Sequence, residues 1–390
     1  MQRAIPLSAP DITEAEIAAV TAVLRTPYLS LGPELTAFEA ALADYHSTEH
    51  AVAVSSGTAG LYMALLTLDI GEGDEVIVPS FAFIAVANAV RQVGATPVFA
   101  DIDPGTLNIT AETVERVVSS RSRGVIVVHT FGIPADMVGL RGVAKRHNLV
   151  IVEDACEAIG AELNGRRVGS FGDLAVFGFY PNKQITTGEG GAVLAHSQAN
   201  AERLQKLRNQ GRGVAGTAAG GVPEAGGGHS KHSDWLHHTE IGCNYRLSEM
   251  ACALGRVQLG RLEEILGLRT EAAERYASLL CGVDGVELPP IDVPGCSISW
   301  FVYVVRLAGH VDRVRVQQVL AERGIASGTY FPPIHQQPAW SSIEQEISAL
   351  PVTERVGSRT LALPFFTRIT ADEQERVAAA LIEAVGIQKD

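Results

Sequence analysis

The chain has 390 residues, 46% of them hydrophobic and 19% charged, which leaves room for roughly two to three domains with a large core. The formal net charge of −13 speaks against a nucleic-acid binder, since a phosphate backbone demands clustered Lys and Arg. Mean hydropathy is +0.15, yet no stretch approaches the ~18 uninterrupted apolar residues of a membrane helix, so no membrane partner is expected.

Met1-Gln2-Arg3-Ala4 lacks the basic-then-apolar pattern of a secretory signal. Cys156, Cys243, Cys252, Cys281 and Cys296 are scattered without ligand or disulfide spacing, and both features point to a cytoplasmic protein with reduced thiols. Thr13-Glu14-Ala15-Glu16 has the spacing of a capping box, followed by apolar Ile17, Val20 and Leu24 at helical intervals. Short apolar runs then predict strands at Ala51–Val54, Glu75–Val78, Pro97–Phe99, Gly124–Val128, Leu149–Val152, Ala175–Phe179 and Ala192–Leu194. Helical segments lie between most of them, at Thr58–Leu68, Phe83–Val93, Glu112–Ser120 and Met137–His147. This alternation is the mark of an α/β fold with a mostly parallel seven-stranded sheet covered on both faces. The last strands follow one another too closely for helical crossovers, which predicts antiparallel pairing there.

Residues 211–233 are glycine-rich and read as a mobile loop. His229, His232, His237 and His238 share no ligand spacing with acids or cysteines, so no metal site is assigned to them. A long helical pattern runs from Ser248 to about Leu280. A strand (Trp300–Leu307), a helix (Val311–Arg323), a Pro-rich turn (Tyr330–Pro338) and a last helix (Ala371–Val385) follow. The boundary is drawn at 247/248: an N-terminal arm and large domain over 1–247, then a linking helix and a smaller C-terminal α+β domain over 248–390.

In a sheet of this kind, ligands collect beyond the carboxyl ends of the strands, and three motifs fall there. Ser56-Gly57-Thr58 turns from a strand into a helix, whose free N–H groups and dipole suit a phosphate; a plain N-cap is the alternative. Asp154 ends an apolar strand, where a carboxylate can pair with a protonated ring nitrogen or merely cap the next helix. Lys183 is one of few lysines (the others are Lys145, Lys206, Lys231 and Lys389) and sits among apolar, hydroxylic and glycine residues. Desolvation there suits an imine-forming amine; the alternative is a lysine holding backbone carbonyls. Phe83, after another strand, is placed to stack on a flat cofactor or to fill core.

Together with Leu29-Ser30-Leu31-Gly32-Pro33, Gly73-Asp74-Glu75, Glu153-Asp154-Ala155, Asn182-Lys183 through Gly191, Gly242-Cys243-Asn244-Tyr245-Arg246 and Phe331-Pro332-Pro333-Ile334-His335, these motifs resemble the DegT/DnrJ/EryC1/StrS group of sugar aminotransferases. The similarity covers nearly the whole chain. It implies fold-type-I architecture, like aspartate aminotransferase, with pyridoxal 5′-phosphate (PLP) as cofactor. Lys183 would carry PLP and act as the catalytic residue, Asp154 would face its ring nitrogen and Phe83 would stack on its ring. Ser56, Gly57 and Thr58 would hold its phosphate, helped by Asn244 from a neighbouring subunit, so that a homodimer shares its active sites. Leu29, Ser30, Tyr330 and His335 would line the substrate pocket.

Two positions depart from the common pattern. Gly178 stands where relatives commonly carry a phosphate-binding Ser. Glu157 stands where many have a Gln beside the PLP 3′-oxygen, and a carboxylate there repels a phenolate unless one of them holds a proton. A Glu at this position resembles the perosamine-synthase branch. The activity implied is transfer of an amino group, from L-glutamate, to a nucleotide-linked sugar. The run Thr186-Thr187-Gly188-Glu189-Gly190-Gly191 looks more like enzymes of 4-keto-6-deoxy sugars than of 3-keto sugars. A 3-keto sugar, a cyclitol, or a non-catalytic sugar-nucleotide-binding role are the alternatives.

Overall fold

A computed structural model describes residues 4–212, 237–341 and 349–387. Most of the 211–233 loop, with His229 and His232, lies outside the described residues. The central sheet has seven strands in the order His50–Val54, Gly191–Ala195, Leu174–Gly178, Val150–Asp154, Ser122–Val128, Glu75–Pro79 and Thr96–Ala100. Gly191–Ala195 is antiparallel to both of its neighbours, and the pairings beyond Leu174–Gly178 are parallel. The fold is thus α/β with a mostly parallel sheet, and the antiparallel pairing lies where the short spacing predicts it.

Alternate residues of each strand point to opposite faces, and here both faces are apolar. Val52 and Val54 pack with Leu61, Val176 and Val193 on one face. Ala51 and Ala53 pack with Phe38, Phe177 and Leu194 on the other. Helix Gly57–Thr67 covers the first face, making contact with Leu174–Gly178 and Gly191–Ala195, and Met137–His147 contacts Ser122–Val128 and Val150–Asp154.

The capping box at Thr13 forms, with the Thr13 side chain accepting from Ala15 N–H and the Glu16 side chain accepting from Thr13 N–H at 2.7 Å. Burial alone would raise the Glu16 carboxyl, but hydrogen bonds from Thr13, Arg261 and Gln258 outweigh it and hold the pKa at about 2. Arg261 explains a correction. The pattern from Ser248 to Leu280 is two helices, Glu249–Gly260 and Leu262–Leu280. They break where the Arg261 guanidinium is drawn to Asp11 at 2.7 Å and Glu16 at 2.8 Å. The helix expected to run to Ser120 ends at Glu115, and Ser119 instead turns back to hold the Ser122 hydroxyl at 3.0 Å.

The C-terminal strands form an antiparallel three-stranded sheet in the order Val286–Glu287, Tyr303–Leu307 and Thr360–Leu363, backed by helices Arg313–Glu322 and Ala371–Gly386. Ile5 pairs with Ile325 and joins Tyr276, Tyr303 and Leu381 in the core of this region. A second small sheet, of Cys296–Ser297, Glu162–Leu163 and Arg166–Arg167, comes from segments too short to carry a periodic signal. No helix among the described residues is long and apolar enough to cross a membrane.

His46, at the end of helix Pro33–His46, is buried and packs on Phe177 with ring centroids 4.5 Å apart. Neither ring nitrogen has a well-formed hydrogen bond among the described residues. Burial, reinforced by the Arg167 charge, pushes its pKa down to about 3. Because the folded value lies below the unfolded one, the unfolded chain takes up the extra proton as pH falls below about 6.5. Stability is therefore complete above that pH and declines below it by about 1.4 kcal/mol per unit for this group. Melting temperatures from pH 8 to pH 5 should show a smaller acid-side fall in His46→Leu than in the parent. Parallel curves would refute the assignment.

Candidate active site

Strand Val150–Asp154 ends with two carboxylates that alternation sends to opposite faces. Glu153 is fully buried and accepts hydrogen bonds from the N–H groups of Gly169 at 2.8 Å, Phe171 at 2.7 Å and Gly172 at 2.6 Å. His129 Nε2 stands 3.0 Å from it, while Ala135 N–H donates to His129 Nδ1 at 3.1 Å. The Nε2 proton therefore faces the carboxylate. Burial alone would raise the Glu153 pKa; the His129 contact and the backbone donors outweigh it and hold it below the ordinary value. Asp154 faces the other way, into a cavity of about 330 Å³ at the strand ends, and its Oδ1 accepts Cys156 N–H at 3.1 Å.

Across that cavity the strand His50–Val54 passes into helix Gly57–Thr67. Ser56 is the N-cap, its Oγ accepting Ala59 N–H at 3.1 Å, which leaves the hydroxyl proton and the first helical N–H groups for an anion. Ser56, Gly57 and Thr58 all line the cavity. The backbone is tightly packed here: a Cβ on Gly57 would lie 2.8 Å from Cys156 Sγ, and one on Gly178 would lie 3.3 Å from the same sulfur. Cys156 thus occupies the space that a larger residue at 178 would need. Burial, with the Asp154 charge adding to it, pushes the Cys156 thiol well above its usual range.

Lys183 sits on the loop that joins Leu174–Gly178 to Gly191–Ala195. Its hydroxyl-rich sequence closes the turn: Thr186 Oγ1 donates to Phe179 O at 3.0 Å and accepts Gly188 N–H at 2.9 Å, and Thr187 Oγ1 donates to Glu189 O at 2.8 Å. Both threonines are buried and spent on backbone, while Glu189 lines the cavity. The Lys183 side chain is 16% exposed, its Nζ 3.7 Å from Glu157 Oε1 and 3.9 Å from the centroid of the Phe301 ring. Phe131 N–H donates to Glu157 Oε2 at 3.0 Å. Burial pushes the Glu157 carboxyl up against the opposing pull of Lys183, the direction in which that carboxyl holds a proton.

Phe83 and Tyr330 also line the cavity, and Phe83 is 62% exposed. Burial, together with the charge of Glu157, raises the Tyr330 phenol. The other sequence-predicted residues are not among the cavity's lining residues. His335 anchors the Tyr330–Pro338 turn, with Nδ1 2.6 Å from Ser80 Oγ and Nε2 3.2 Å from Glu354. Leu29 and Ser30 lie beside Glu249, whose N–H donates to Leu29 O at 3.1 Å and whose carboxylate accepts from Gly32, Glu34 and Leu35 N–H. Asn244 is exposed and bridges to Asn209.

Phe331, in the Phe331–His335 motif, lines the cavity as well, while sequence reasoning missed Tyr180, Asn182 and Phe301, which also line it. Tyr180 and Asn182 closely precede the singled-out lysine and were open to the same argument; Phe301 is an aromatic residue that no pattern separates from core.

Gly57→Ala should lower the melting temperature through overpacking of about 1–3 kcal/mol and weaken anion binding. Adding Cys156→Ala should recover at least half of the thermal loss. A double variant no more stable than Gly57→Ala would show that the sulfur is not the obstruction.

The DegT/DnrJ/EryC1/StrS aminotransferase family matches residues 10–382. A GDP-perosamine synthase of Caulobacter vibrioides is 35% identical over 381 residues, 97% of each chain. The structure of DesV from S. venezuelae, in complex with a ketimine intermediate, is 36% identical with a TM-score of 0.86 over 98% of each chain. The PLP-form of Spr1654, a sugar aminotransferase by its description, from Streptococcus pneumoniae, is 26% identical with a TM-score of 0.89, covering 99% of this chain and 100% of its own.

Proposed function

Since the chain belongs to the DegT/DnrJ/EryC1/StrS aminotransferase family, we propose that it binds PLP in the cavity at the strand ends and aminates a nucleotide-linked 4-keto-6-deoxy sugar, with L-glutamate as donor. The observation that carries this reading is that one cavity is lined by an amine, Lys183, a carboxylate, Asp154, and the free start of a helix, Ser56–Thr58. These are the three groups that a phosphorylated pyridine aldehyde requires. The helix start suits the phosphate, Asp154 suits a ring nitrogen that must stay protonated, and Lys183 is the amine that the aldehyde would engage. The departures from the common pattern fit as well. Gly178 leaves the space that Cys156 fills, and burial favours the protonated Glu157 carboxyl that a neighbouring phenolate oxygen tolerates.

When bound, PLP supplies a ring that takes up the electron pair released at the substrate carbon. The chain's own residues do the rest. Lys183 Nζ, once free, accepts the proton from the α-carbon of the amino donor and returns one in the second half of the cycle. Asp154 would face the ring nitrogen and keep its positive charge. Tyr330 and the exposed face of Phe83 bound the space where substrate enters. The exposed Asn244 is available to a second subunit, and we assign it to the partner's phosphate site in a homodimer that works in the cytoplasm. Leu29, Ser30 and His335 belong to the sugar pocket of that assembly. The resemblance of Thr186–Gly191 to 4-keto-sugar enzymes supports the regiochemistry, and a relative named for a GDP-linked sugar supports a nucleotide-linked substrate.

The purified protein should absorb in the visible range with PLP, and borohydride should fix the cofactor to Lys183 as read by peptide mass. Lys183→Ala should lose on the order of 10²–10⁴-fold or more in turnover through proton transfer alone. A protein that takes up no PLP, or a Lys183→Ala variant of undiminished rate, refutes the assignment. Offered 3-keto and 4-keto nucleotide sugars with glutamate, the enzyme should aminate C4; equal rates, or amination at C3, would transfer the assignment to the 3-keto class.

A further inference from the structure

The two contacts of the Lys183 amine come from distant parts of the chain. Glu157 follows strand Val150–Asp154, and Phe301 lies just ahead of strand Tyr303–Leu307. One buried side chain joins them. Gln184, 3% exposed and next in sequence to Lys183, donates from Nε2 to Glu157 O at 2.7 Å, to Ser299 Oγ at 2.8 Å and to Ser299 O at 3.0 Å. Ser299 is itself fixed, its hydroxyl donating to Ile159 O at 2.7 Å and its N–H donating to Gly132 O at 3.0 Å. The approach to Gly132 depends on glycine there: its φ is +87°, and a Cβ would fall 1.7 Å from Ser299 O. The residue before it, Phe131, donates the N–H that holds the Glu157 carboxylate.

From Ser299 the chain runs to Phe301, whose carbonyl accepts Arg269 Nη2 at 2.6 Å, while Trp300 O accepts Arg269 Nε at 2.6 Å. Arg269 is buried, and burial pushes its pKa down to about 9. The backbone of Phe301 is thus gripped on both sides, by Gln184 through Ser299 and by Arg269 directly. Two carbonyls and a hydroxyl compete for the two protons of one amide nitrogen, which fixes the way the amide faces, while Gln184 Oε1 is buried with no hydrogen-bond partner among the described residues.

We propose that Gln184 is a positioning residue for Lys183: its amide locks together the segments that carry Glu157 and Phe301, and so sets the two distances that hold the lysine amine. Glu157 and the Phe301 ring stand 3.7 Å and 3.9 Å from the amine and leave the Lys183 side chain 16% exposed, so loosening the joint changes how readily that amine is reached. An error of about 1 Å in such a placement costs on the order of 100-fold in rate. The consequence for turnover rests on the proposed PLP chemistry; the consequence for the amine does not.

Gln184→Met keeps length and removes the donors. Its kcat should fall by roughly tenfold to a hundredfold, with less than about a threefold change in KM for the keto sugar. In the cofactor-free protein, the rate of reductive methylation of Lys183 at one fixed pH should rise, because the amine is held less closely. The same rise is expected in Phe301→Leu, and the double variant should rise little further, because residues acting through one contact are not additive. If Gln184→Met does not fold, Ser299→Ala, which removes one acceptor, should raise the rate by less. A variant that lowers only the melting temperature, leaving kcat and the labelling rate unchanged, or rises that add in full in the double variant, would overturn the proposal. Labelling needs no cofactor, so failure to bind PLP would sink the functional reading while this arm still decides the role of Gln184.

Discussion

The Glu153 carboxylate, buried behind the site, is the contact from which the rest of the architecture follows. It takes three backbone N–H groups and faces the His129 imidazole, and hydrogen bonds to a charged group contribute about 1.5–3 kcal/mol each. Those donors come from residues 169–172 and 129, so the loops on either side of the strand are tied to its end. Because successive strand residues point to opposite faces, pinning Glu153 on one side presents Asp154 on the other. The acid that touches no ligand is the one that aims the acid that can.

Close backbone approach is the second constraint. Gly57 and Gly178 lie against the Cys156 sulfur, and a Cβ on Gly191 would fall 2.7 Å from Gly57 N. Strand ends and a helix start therefore converge with only the Cys156 side chain packed against these glycines. That convergence leaves the helical N–H groups facing the cavity. The single strand that runs against the others, Gly191–Ala195, belongs to the same arrangement. A short antiparallel connection from Leu174–Gly178 lets Lys183 project from a hairpin closed by its own threonine hydroxyls. A helical crossover would carry the chain away from the site.

The C-terminal region completes the cavity from the far side. Phe301 enters from the segment gripped by Arg269 and Gln184, and Tyr330 enters from a turn that Ser80 and His335 anchor to the central sheet. Phe331 packs with Phe81 and Phe131, which binds that turn to the loop that also holds Glu157. The lysine amine is thus set by contacts from segments more than 100 residues apart, fixed by hydrogen bonds to backbone.

Much of this was legible in the sequence. Short apolar runs located all seven strands of the main sheet, because a strand buried on both faces leaves a continuous apolar signal. Ser56-Gly57-Thr58, Asp154 and Lys183 were legible too, since each lies at or just beyond the end of a strand, at the edge where ligands gather. The break at Arg261 was not, because it answers to Asp11 and Glu16 near the other end of the chain. Phe301, Gln184 and the partnership of Cys156 with Gly178 were equally hidden: an aromatic, an amide and a thiol look the same in sequence whether they face core or site. Local periodicity and turn chemistry act over a few residues and can be read along the chain. Which side chain meets the lysine depends on pairings of high sequence separation, and only the folded chain decides those.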